Sequence, residues 1–278
     1  MSNYKDIIQF ALNEDLRNKG DITTDCLVED SSVSLFHLIA KEDAVIAGLD
    51  VFTMTLKLLD NFINIKTKFK NGSFINAGTV VATVSGNTKH ILTGERTALN
   101  FVCHLSGIAT LTNQVIKKLE NTKVILLDTR KTTPGLRYLE KQAVLAGGGK
   151  NHRYGLYDMV LIKNNHVSCI GVDKAVEKVR EVYGNEYKIE VEVRTFDELN
   201  KALKVNPDVI MFDNWDVNKL KEAVKLVPDK IFTEASGLIA MDNIYKYANS
   251  GVDSISTSYM IKSARWVDFS LTRQNNEV

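Results

Sequence analysis

The feature that most constrains the fold is a regular alternation of apolar strand-like runs and helix-like patterns after Lys118. The runs recur at spacings of about twenty residues, and amphipathic segments lie between them. This order predicts parallel strands joined by helical crossovers. The strand-like runs cover residues 124–128, 159–163, 188–193, 209–213, 231–236 and 254–258. The fold is therefore α/β, either a (β/α) barrel or an open doubly wound sheet.

Polar residues at the ends of these runs favour the barrel. In a barrel the carboxyl ends of all strands converge on one mouth, whereas in an open sheet ligands gather at a single switch point. Nearly every run contributes, through Asp128, Arg130, Lys163, Glu192, Asp213, Glu234, Ser236 and Ser256. Gly147, Gly148 and Gly149 follow a helix pattern rather than a strand, so a dinucleotide fingerprint is absent.

The first hundred residues have a different pattern. Residues 4–16 predict an amphipathic helix, and residues 33–93 contain short β-like runs separated by glycine turns, which indicates a small α+β domain. The longest charge-free run, 97–116, raises the question of a membrane span. Because it contains Asn100 and His104 among other polar residues, we predict a buried helix pair instead.

Composition excludes several classes of protein. The 35 Lys and Arg residues balance 34 Asp and Glu residues, which is unlike a protein that coats nucleic acid. The 3 cysteines lie far apart, without the spacing of a disulfide framework or a zinc site. Asp6, Glu14 and Asp15 interrupt the N-terminus where a signal peptide needs an apolar stretch. We therefore predict a soluble cytoplasmic protein with no nucleic-acid or membrane partner.

A local excess of positive charge between residues 128 and 166 predicts a small anionic ligand. This stretch holds seven Lys or Arg residues against three acids. Solvated surface positions are the usual place for such side chains, and we assign Lys141 and Lys150 to the surface. The strand-end groups Arg130, Lys131 and Lys163 are harder to explain in that way.

The charge bias reverses between residues 190 and 216, where seven acids face three bases. Most of these acids are expected on helix faces or caps. Glu192 and Asp213 instead end neighbouring strands, an arrangement that suits Mg²⁺ bound together with substrate phosphates. Ion pairing with a nearby Lys or Arg is the alternative and stays open.

The small residues that end the last two strands, 235–237 and 256–258, could present backbone N–H groups to a phosphate. Ordinary turns are the alternative for these loops, and the phosphate interpretation depends on their position at the end of the barrel.

Seven stretches also carry a resemblance to a known family. They are EDLRNKGDITT (14–24), GERTALNFVCHLSGIAT (94–110), LLDTRKTTPGLR (126–137), AGGGKNHRYGLYDMVLIKNNH (146–166), EVEV (190–193), FDN (212–214) and EASG (234–237). From about residue 14 to residue 271 the chain is similar to quinolinate phosphoribosyltransferase. The resemblance implies an N-terminal α+β domain over residues 1–107, joined by residues 266–278, and an incomplete (β/α) barrel over residues 108–265.

The resemblance also implies an activity. Enzymes of this family transfer phosphoribosyl from phosphoribosyl pyrophosphate to the ring nitrogen of quinolinate and release pyrophosphate. One ring carboxylate is lost as CO₂, and the product is nicotinate mononucleotide, a precursor of NAD. The family works as a homodimer with a shared active site, in which an arginine matching Arg96 is donated across the interface. Whether dimers assemble further is left open.

The motif matches assign individual roles. For quinolinate they indicate Arg96, Arg130, His152, Arg153 and Lys163. For phosphoribosyl pyrophosphate they indicate Lys131, Glu192, Asp213, Ser236, Gly237, Ser256 and Ser258. Lys131, Glu192 and Asp213 are the expected catalytic residues, and the two acids are the expected Mg²⁺ ligands.

Three departures from the family pattern bear on the match. The spacer 17–19 is slightly longer than usual, Leu238 replaces a common second glycine, and Ser258-Tyr259 replaces a glycine and a small residue. The last two changes affect phosphate contact, because a Cβ restricts close backbone approach. Three other functions are weighed: a ModD-like homologue associated with molybdenum transport, a barrel aldolase using Lys163, and a non-catalytic phosphometabolite-binding barrel.

Overall fold

The computed structural model describes residues 4–274, which form two compact units. The first unit contains the chain up to Asn113, residues 133–148 and the chain from Ser263 onward. The second contains residues 114–132 and 149–262. The domain limits at residues 107 and 265 stay a prediction from the sequence, and residues 275–278 of the expected C-terminal join lie outside the described residues.

The helices and strands follow one another in this order. The first half contains α1 (Lys5–Leu16), α2 (Ile22–Leu27), β1 (Val33–Ala40), β2 (Ala44–Val45), α3 (Leu49–Leu59), β3 (Asn64–Thr67), β4 (Phe74–Ile75), β5 (Val80–Asn87), α4 (Thr88–Leu119), β6 (Ile125–Leu127) and α5 (Arg137–Ala146). The second half contains β7 (Val160–Ile162), α6 (Asn164–Ile170), α7 (Val172–Tyr183), β8 (Ile189–Val193), α8 (Phe196–Val205), β9 (Val209–Asp213), α9 (Val217–Val224), β10 (Phe232–Ser236), α10 (Ile244–Ala248), β11 (Ser254–Ser256), α11 (Tyr259–Lys262) and β12 (Phe269–Arg273).

The first unit is built on an antiparallel sheet with the strand order β12-β1-β5-β3. Alternate residues of β1 are buried, as expected for a strand with one face on a core. That face packs in one cluster with Phe52 and Leu56 of α3. The last described strand, β12, pairs with β1 from Phe36 opposite Arg273 to Ala40 opposite Phe269, so the end of the chain completes this sheet.

The helix pair predicted for residues 97–116 is wrong, because one continuous 32-residue helix, α4, covers this run. Its polar side chains bond without interrupting it: the Thr112 hydroxyl donates to the carbonyl of Ile108. Gly107 does not break the helix but allows another segment to pack closely against it, since a Cβ there would lie 2.1 Å from the carbonyl oxygen of Arg265. Among the described residues, no helix is long and apolar enough to cross a membrane.

The second unit confirms the predicted barrel. Its six strands are parallel and neighbour one another in the order β6-β11-β10-β9-β8-β7. Consecutive strands from β7 to β11 are therefore adjacent, and the last strand, β11, returns to the first, β6. An open doubly wound sheet would reverse its order in the middle. Within residues 4–274, the two edge strands β6 and β7 do not pair with each other, so the sheet does not close and the barrel is incomplete.

One surface assignment is wrong. Lys141 on α5 is completely buried, beside the equally buried Glu140. Lysine is almost never buried unless it is paired, and Lys141 has a polar or electrostatic partner. Lys150, which we also placed on the surface, is exposed.

Candidate active site

A pocket of about 150 Å³ lies inside the second unit and collects most of the predicted site residues. The predicted residues that line it are Arg130, Lys131, His152, Arg153, Lys163, Glu192, Asp213, Ser236 and Ser256. Thr129, Leu161 and Met211 also line it, and sequence reasoning had not singled them out. The basic and acidic stretches of a nearly neutral chain therefore meet in one cavity.

Three predicted residues are placed elsewhere. Gly237 and Ser258 follow pocket residues in the chain but do not line the cavity themselves. Arg96 is exposed on α4 in the first unit. A larger cavity of about 770 Å³ lies beside α3 in the first unit, and none of the predicted site residues lines it. The convergent charged groups that mark a binding site therefore belong to the barrel pocket.

The cationic side of the pocket depends on two guanidinium groups. The Nε atom of Arg130 is buried and has no hydrogen-bond partner among the described residues. Arg153 is only 8% exposed, and its Nη1 donates to the carbonyl of Met159 at 2.9 Å. Burial lowers the pKa of Arg153, and the nearby charge of Arg130 lowers it further. Two close cations with an unused donor predict an anionic ligand.

Asp128 holds this cationic region together. Its carboxylate is fully buried and accepts from the backbone N–H of His152 at 2.8 Å and from Nδ2 of Asn151 at 2.6 Å. Its own N–H donates to the carbonyl of Lys150 at 3.0 Å. The chain just after β6, which carries Arg130, is thereby tied to the loop that carries Arg153.

Both ring nitrogens of His152 lie close to protein groups. Nδ1 accepts from the backbone N–H of Arg153 at 2.7 Å, so the proton of the neutral ring is on Nε2. Nε2 lies 3.1 Å from Glu190 and 3.6 Å from Glu234, both of which are buried. We had expected most acids of the 190–216 stretch on helices, but Glu190 lies inside the barrel. The signal was its spacing of two residues from Glu192, which puts both side chains on one face of β8.

One imidazole, His152, carries too little positive charge to stabilise two buried carboxylates, Glu190 and Glu234, in their ionised form. Burial, followed by the charge of Glu190, raises the pKa of Glu234 from 4.5 to about 7, and His152 only partly opposes this shift. Below pH 7 Glu234 is therefore mainly a neutral carboxylic acid. The ligand atoms of His152, Glu190 and Glu234 lie within 4.8 Å of one another, a spacing that would also suit a metal ion.

Glu192 and Asp213 lie side by side, and an arginine bridges them. Arg194 Nη2 is 2.7 Å from Asp213 Oδ2 and 3.2 Å from Glu192 Oε1, and its Nε donates to the same Asp213 oxygen at 2.8 Å. Burial, followed by the charge of Asp213, raises the pKa of Glu192, whereas Arg194 lowers it. Ion pairing, the alternative that the sequence left open, is thus present.

The acid pair nevertheless fits a divalent cation. Both carboxylates line the pocket and Arg194 does not, so the side facing the cavity can take a ligand. Mg²⁺ is bound by one or two carboxylates with substrate phosphates and water, which is what this donor set allows.

The last two strands supply hydroxyl groups and a tight loop. Ser256 Oγ donates to Ser236 Oγ at 3.0 Å, and both serines line the pocket. Gly237 has a φ of 121°, which an L side chain rarely adopts. The side chain of Leu238 is 90% exposed, so this departure from the family pattern does not fill the pocket.

Known proteins match this chain over nearly its whole length. Residues 21–106 match the family model of the quinolinate phosphoribosyl transferase N-terminal domain, and residues 108–272 match that of the C-terminal domain. A probable nicotinate-nucleotide pyrophosphorylase (carboxylating) of Bacillus subtilis is 37% identical over 268 residues, which is 96% of this chain and 92% of that protein. The mitochondrial quinolinate phosphoribosyltransferase (decarboxylating) 2 of Nicotiana glauca is 38% identical over 287 residues, 96% of this chain and 81% of that protein.

Solved structures give the same result. The nicotinate-nucleotide pyrophosphorylase of Francisella tularensis superposes with a TM-score of 0.93 at 38% identity, covering 97% of this chain and 95% of that one. The resemblance inferred from the sequence motifs is confirmed.

Proposed function

The chain belongs to the quinolinate phosphoribosyltransferase family, and we propose that its barrel pocket carries out the family's reaction with the residues described above. The protein is a decarboxylating pentosyltransferase of NAD biosynthesis. It joins phosphoribosyl pyrophosphate to quinolinate and yields nicotinate mononucleotide, pyrophosphate and CO₂. Because the matches span both units and name this activity, the molybdenum-transport, aldolase and non-catalytic alternatives are not favoured.

One observation supports the assignment of the pocket most strongly. A buried, unpartnered Arg130 Nε and the adjoining Arg153 share a cavity with the acid pair Glu192 and Asp213. A planar pyridine dicarboxylate needs cationic donors such as Arg130 and Arg153. A ribose with a polyphosphate needs carboxylates such as Glu192 and Asp213. The cavity thus offers each substrate its own chemistry within one volume.

The first step needs positioning and charge rather than a covalent nucleophile. The ring nitrogen of quinolinate forms a bond to the anomeric carbon of ribose while the bond from that carbon to pyrophosphate breaks. Positive charge develops on the sugar, and the carboxylates of Glu192 and Asp213 stabilise it. Lys131 lies on the same pocket, where its charge can offset that of the departing pyrophosphate.

We assign Mg²⁺ to Glu192 and Asp213. When bound there, the ion supplies positive charge to the oxygens of the pyrophosphate leaving group. Arg194 supports this assignment, because its guanidinium shows that the two carboxylates together attract a cation.

The second step is loss of the ring carboxylate. The bond from the ring carbon to the carboxylate breaks, CO₂ leaves, and the electron pair left on the ring carbon takes up a proton. The ring nitrogen, now substituted and positively charged, draws that electron pair toward itself. We assign Arg130, Arg153 and Lys163 to hold the carboxylates of the substrate while this occurs.

Two further assignments concern the assembly and its location. We propose a homodimer in which the exposed Arg96 on α4 completes the pocket of the partner subunit. The cytoplasm is the proposed location, which rests on the similarity to a bacterial enzyme.

The test is direct turnover. Purified protein incubated with quinolinate, phosphoribosyl pyrophosphate and Mg²⁺ should release nicotinate mononucleotide and CO₂ in equal amounts. Omission of either substrate should abolish both products, and nicotinate should not replace quinolinate. Folded, dimeric protein that forms neither product would refute the proposed function.

A further inference from the structure

Asn214 follows the acid pair directly and adopts an unusual backbone conformation. Its φ is 57°, in the left-handed region, which asparagine tolerates better than most residues other than glycine. Its N–H donates to the carbonyl of Ser236 at 2.9 Å, which extends the pairing of β9 with β10 beyond the Asp213–Ser236 register. The chain therefore turns sharply at Asn214 while it remains attached to the neighbouring strand.

This turn directs the two ends of the Asn214 amide at two different groups, a carboxylate of the pocket and the backbone of the following loop. Nδ2 donates to Asp213 Oδ1 at 3.0 Å. Oδ1 accepts from the backbone N–H of Leu238 at 3.2 Å. One side chain thus joins a carboxylate of the acid pair to the loop that follows Ser236.

The loop is also shaped around this amide. A Cβ at Gly237 would lie 2.4 Å from Asn214 Oδ1 and 2.9 Å from the Asn214 backbone nitrogen. Such distances are too short for any side chain, so the glycine lets the loop approach Asn214 closely. Glycine at this position is required by packing against Asn214 as well as by its φ.

Asp213 is held from the opposite side as well. Arg194 binds Oδ2 through both Nε and Nη2, whereas Asn214 binds Oδ1. The carboxylate plane is therefore fixed by donors from two residues, which lie at the ends of different strands. A group held in this way has little freedom to lose when a ligand binds.

Resting on the proposed function, we propose that Asn214 is a positioning residue that couples the ribose-binding carboxylate of Asp213 to the phosphate-binding loop 236–238. A sugar phosphate then meets its hydroxyl acceptor and its phosphate loop at a fixed separation. Asn214 touches neither substrate and acts through Asp213 and the backbone of Leu238.

Two variants separate the two contacts. Asn214→Asp keeps an acceptor for the Leu238 N–H but replaces the donor to Asp213 with a negative charge. Asn214→Gly keeps the left-handed backbone and removes both contacts. Asn206→Gly is the matched control, because Asn206 has a φ of 50° at the end of α8 and does not line the pocket.

Calorimetric titration with inorganic phosphate and with ribose 5-phosphate distinguishes the contacts, since only the second ligand also reaches Asp213. Asn214→Asp should bind ribose 5-phosphate about tenfold more weakly, the loss expected for a hydrogen bond to a charged group, and phosphate within about twofold of wild type. Asn214→Gly should bind both ligands about tenfold more weakly than wild type. In turnover, both variants should raise the KM for phosphoribosyl pyrophosphate and leave that for quinolinate within about twofold.

The outcomes discriminate among the explanations. Wild-type binding of both phosphates by folded Asn214 variants, with an active wild-type enzyme, would overturn the coupling while leaving the proposed function intact. An equal loss for quinolinate and for phosphoribosyl pyrophosphate would show a merely structural role and would also overturn it. If the wild-type protein itself makes no product, the proposed function fails, whatever the variants bind.

Discussion

Glu234 shows how a single buried side chain can make stability depend on pH. It is 2% exposed and lies opposite Glu190, with His152 as the nearby imidazole. Its pKa is raised from 4.5 to about 7. Between these two pH values the folded protein keeps a proton on Glu234, whereas the unfolded chain has released it. Because the native state binds more protons than the unfolded state, the contribution of Glu234 to stability is lost as pH rises from 4.5 to 7.

Glu234→Gln should remove most of this dependence. An amide is neutral at every pH and, like the protonated acid, carries a donor that can face the nearby Glu190. The free energy of unfolding of wild type should fall by roughly 3 kcal/mol more than that of the variant between pH 4.5 and pH 8, the value of such a pKa shift. Urea unfolding of both proteins across this range measures the difference. Parallel curves would show that Glu234 does not hold the proton.

Arg130→Ala should impair the use of quinolinate far more than folding. The change removes a guanidinium whose buried Nε has no hydrogen-bond partner among the described residues, so no native bond is lost at that atom. The KM for quinolinate should rise by about tenfold to a hundredfold, as expected for one charge-assisted contact. Lys150→Ala is the control, because Lys150 is exposed in the same basic stretch and does not line the pocket. Wild-type kinetics in Arg130→Ala would refute the assignment.

At the scale of single residues, the sequence identifies the charged side chains of the site but not the residues that contact them. Arg130, Lys163 and Asp213 were found because each lies at or just after the end of a strand, and the parallel fold brings these ends together. Arg194 and Asn214 were missed, because their importance depends on which oxygen of Asp213 each one meets. That geometry arises from how the side chains are placed at the paired ends of β8, β9 and β10, which local sequence patterns do not determine.

At the scale of elements, α4 shows why a polar, glycine-containing run need not break a helix. Gly107 lets the backbone of residues 265–267 touch the helix, where the N–H of Val267 also donates to the carbonyl of Cys103 at 3.1 Å. The strand-and-helix alternation of the barrel was predictable, since each element carries its own periodicity. The continuity of α4 was not, because it depends on a contact with a segment more than a hundred residues later.

Gly107→Ala should therefore destabilise the first unit although alanine favours helices. The new methyl would lie 2.1 Å from a backbone oxygen, which cannot rotate away. We expect a net loss of roughly 2 kcal/mol after the gain in helix propensity. Gly94→Ala is the matched control in the same helix, because its methyl would meet the terminal methyl groups of Leu59 and Leu56, which a change of rotamer can move, rather than a backbone atom. Urea unfolding in which Gly94→Ala is the more damaging change would contradict this explanation.

At the scale of the whole molecule, a nearly neutral total charge conceals strong local charge. The 35 basic and 34 acidic residues balance over the chain, yet a basic stretch and an acidic pair line one pocket. Composition was therefore informative about large polyanions and uninformative about small ones. The spatial arrangement of charge within the barrel, rather than its sum, determines which anions the protein can bind.

The proposed shared site predicts complementation between two inactive variants. Arg96 is exposed on α4, whereas Lys163 lines the pocket of the second unit. If each pocket takes Arg96 from the partner subunit, a heterodimer of Arg96→Ala and Lys163→Ala contains one intact site and one doubly damaged site. A random mixture of subunits should then recover about a quarter of wild-type activity by symmetry alone. Co-expression with two different affinity tags and tandem purification isolates the heterodimer, which should show about half of wild-type activity. An inactive, folded heterodimer would mean that Arg96 does not complete the partner's site.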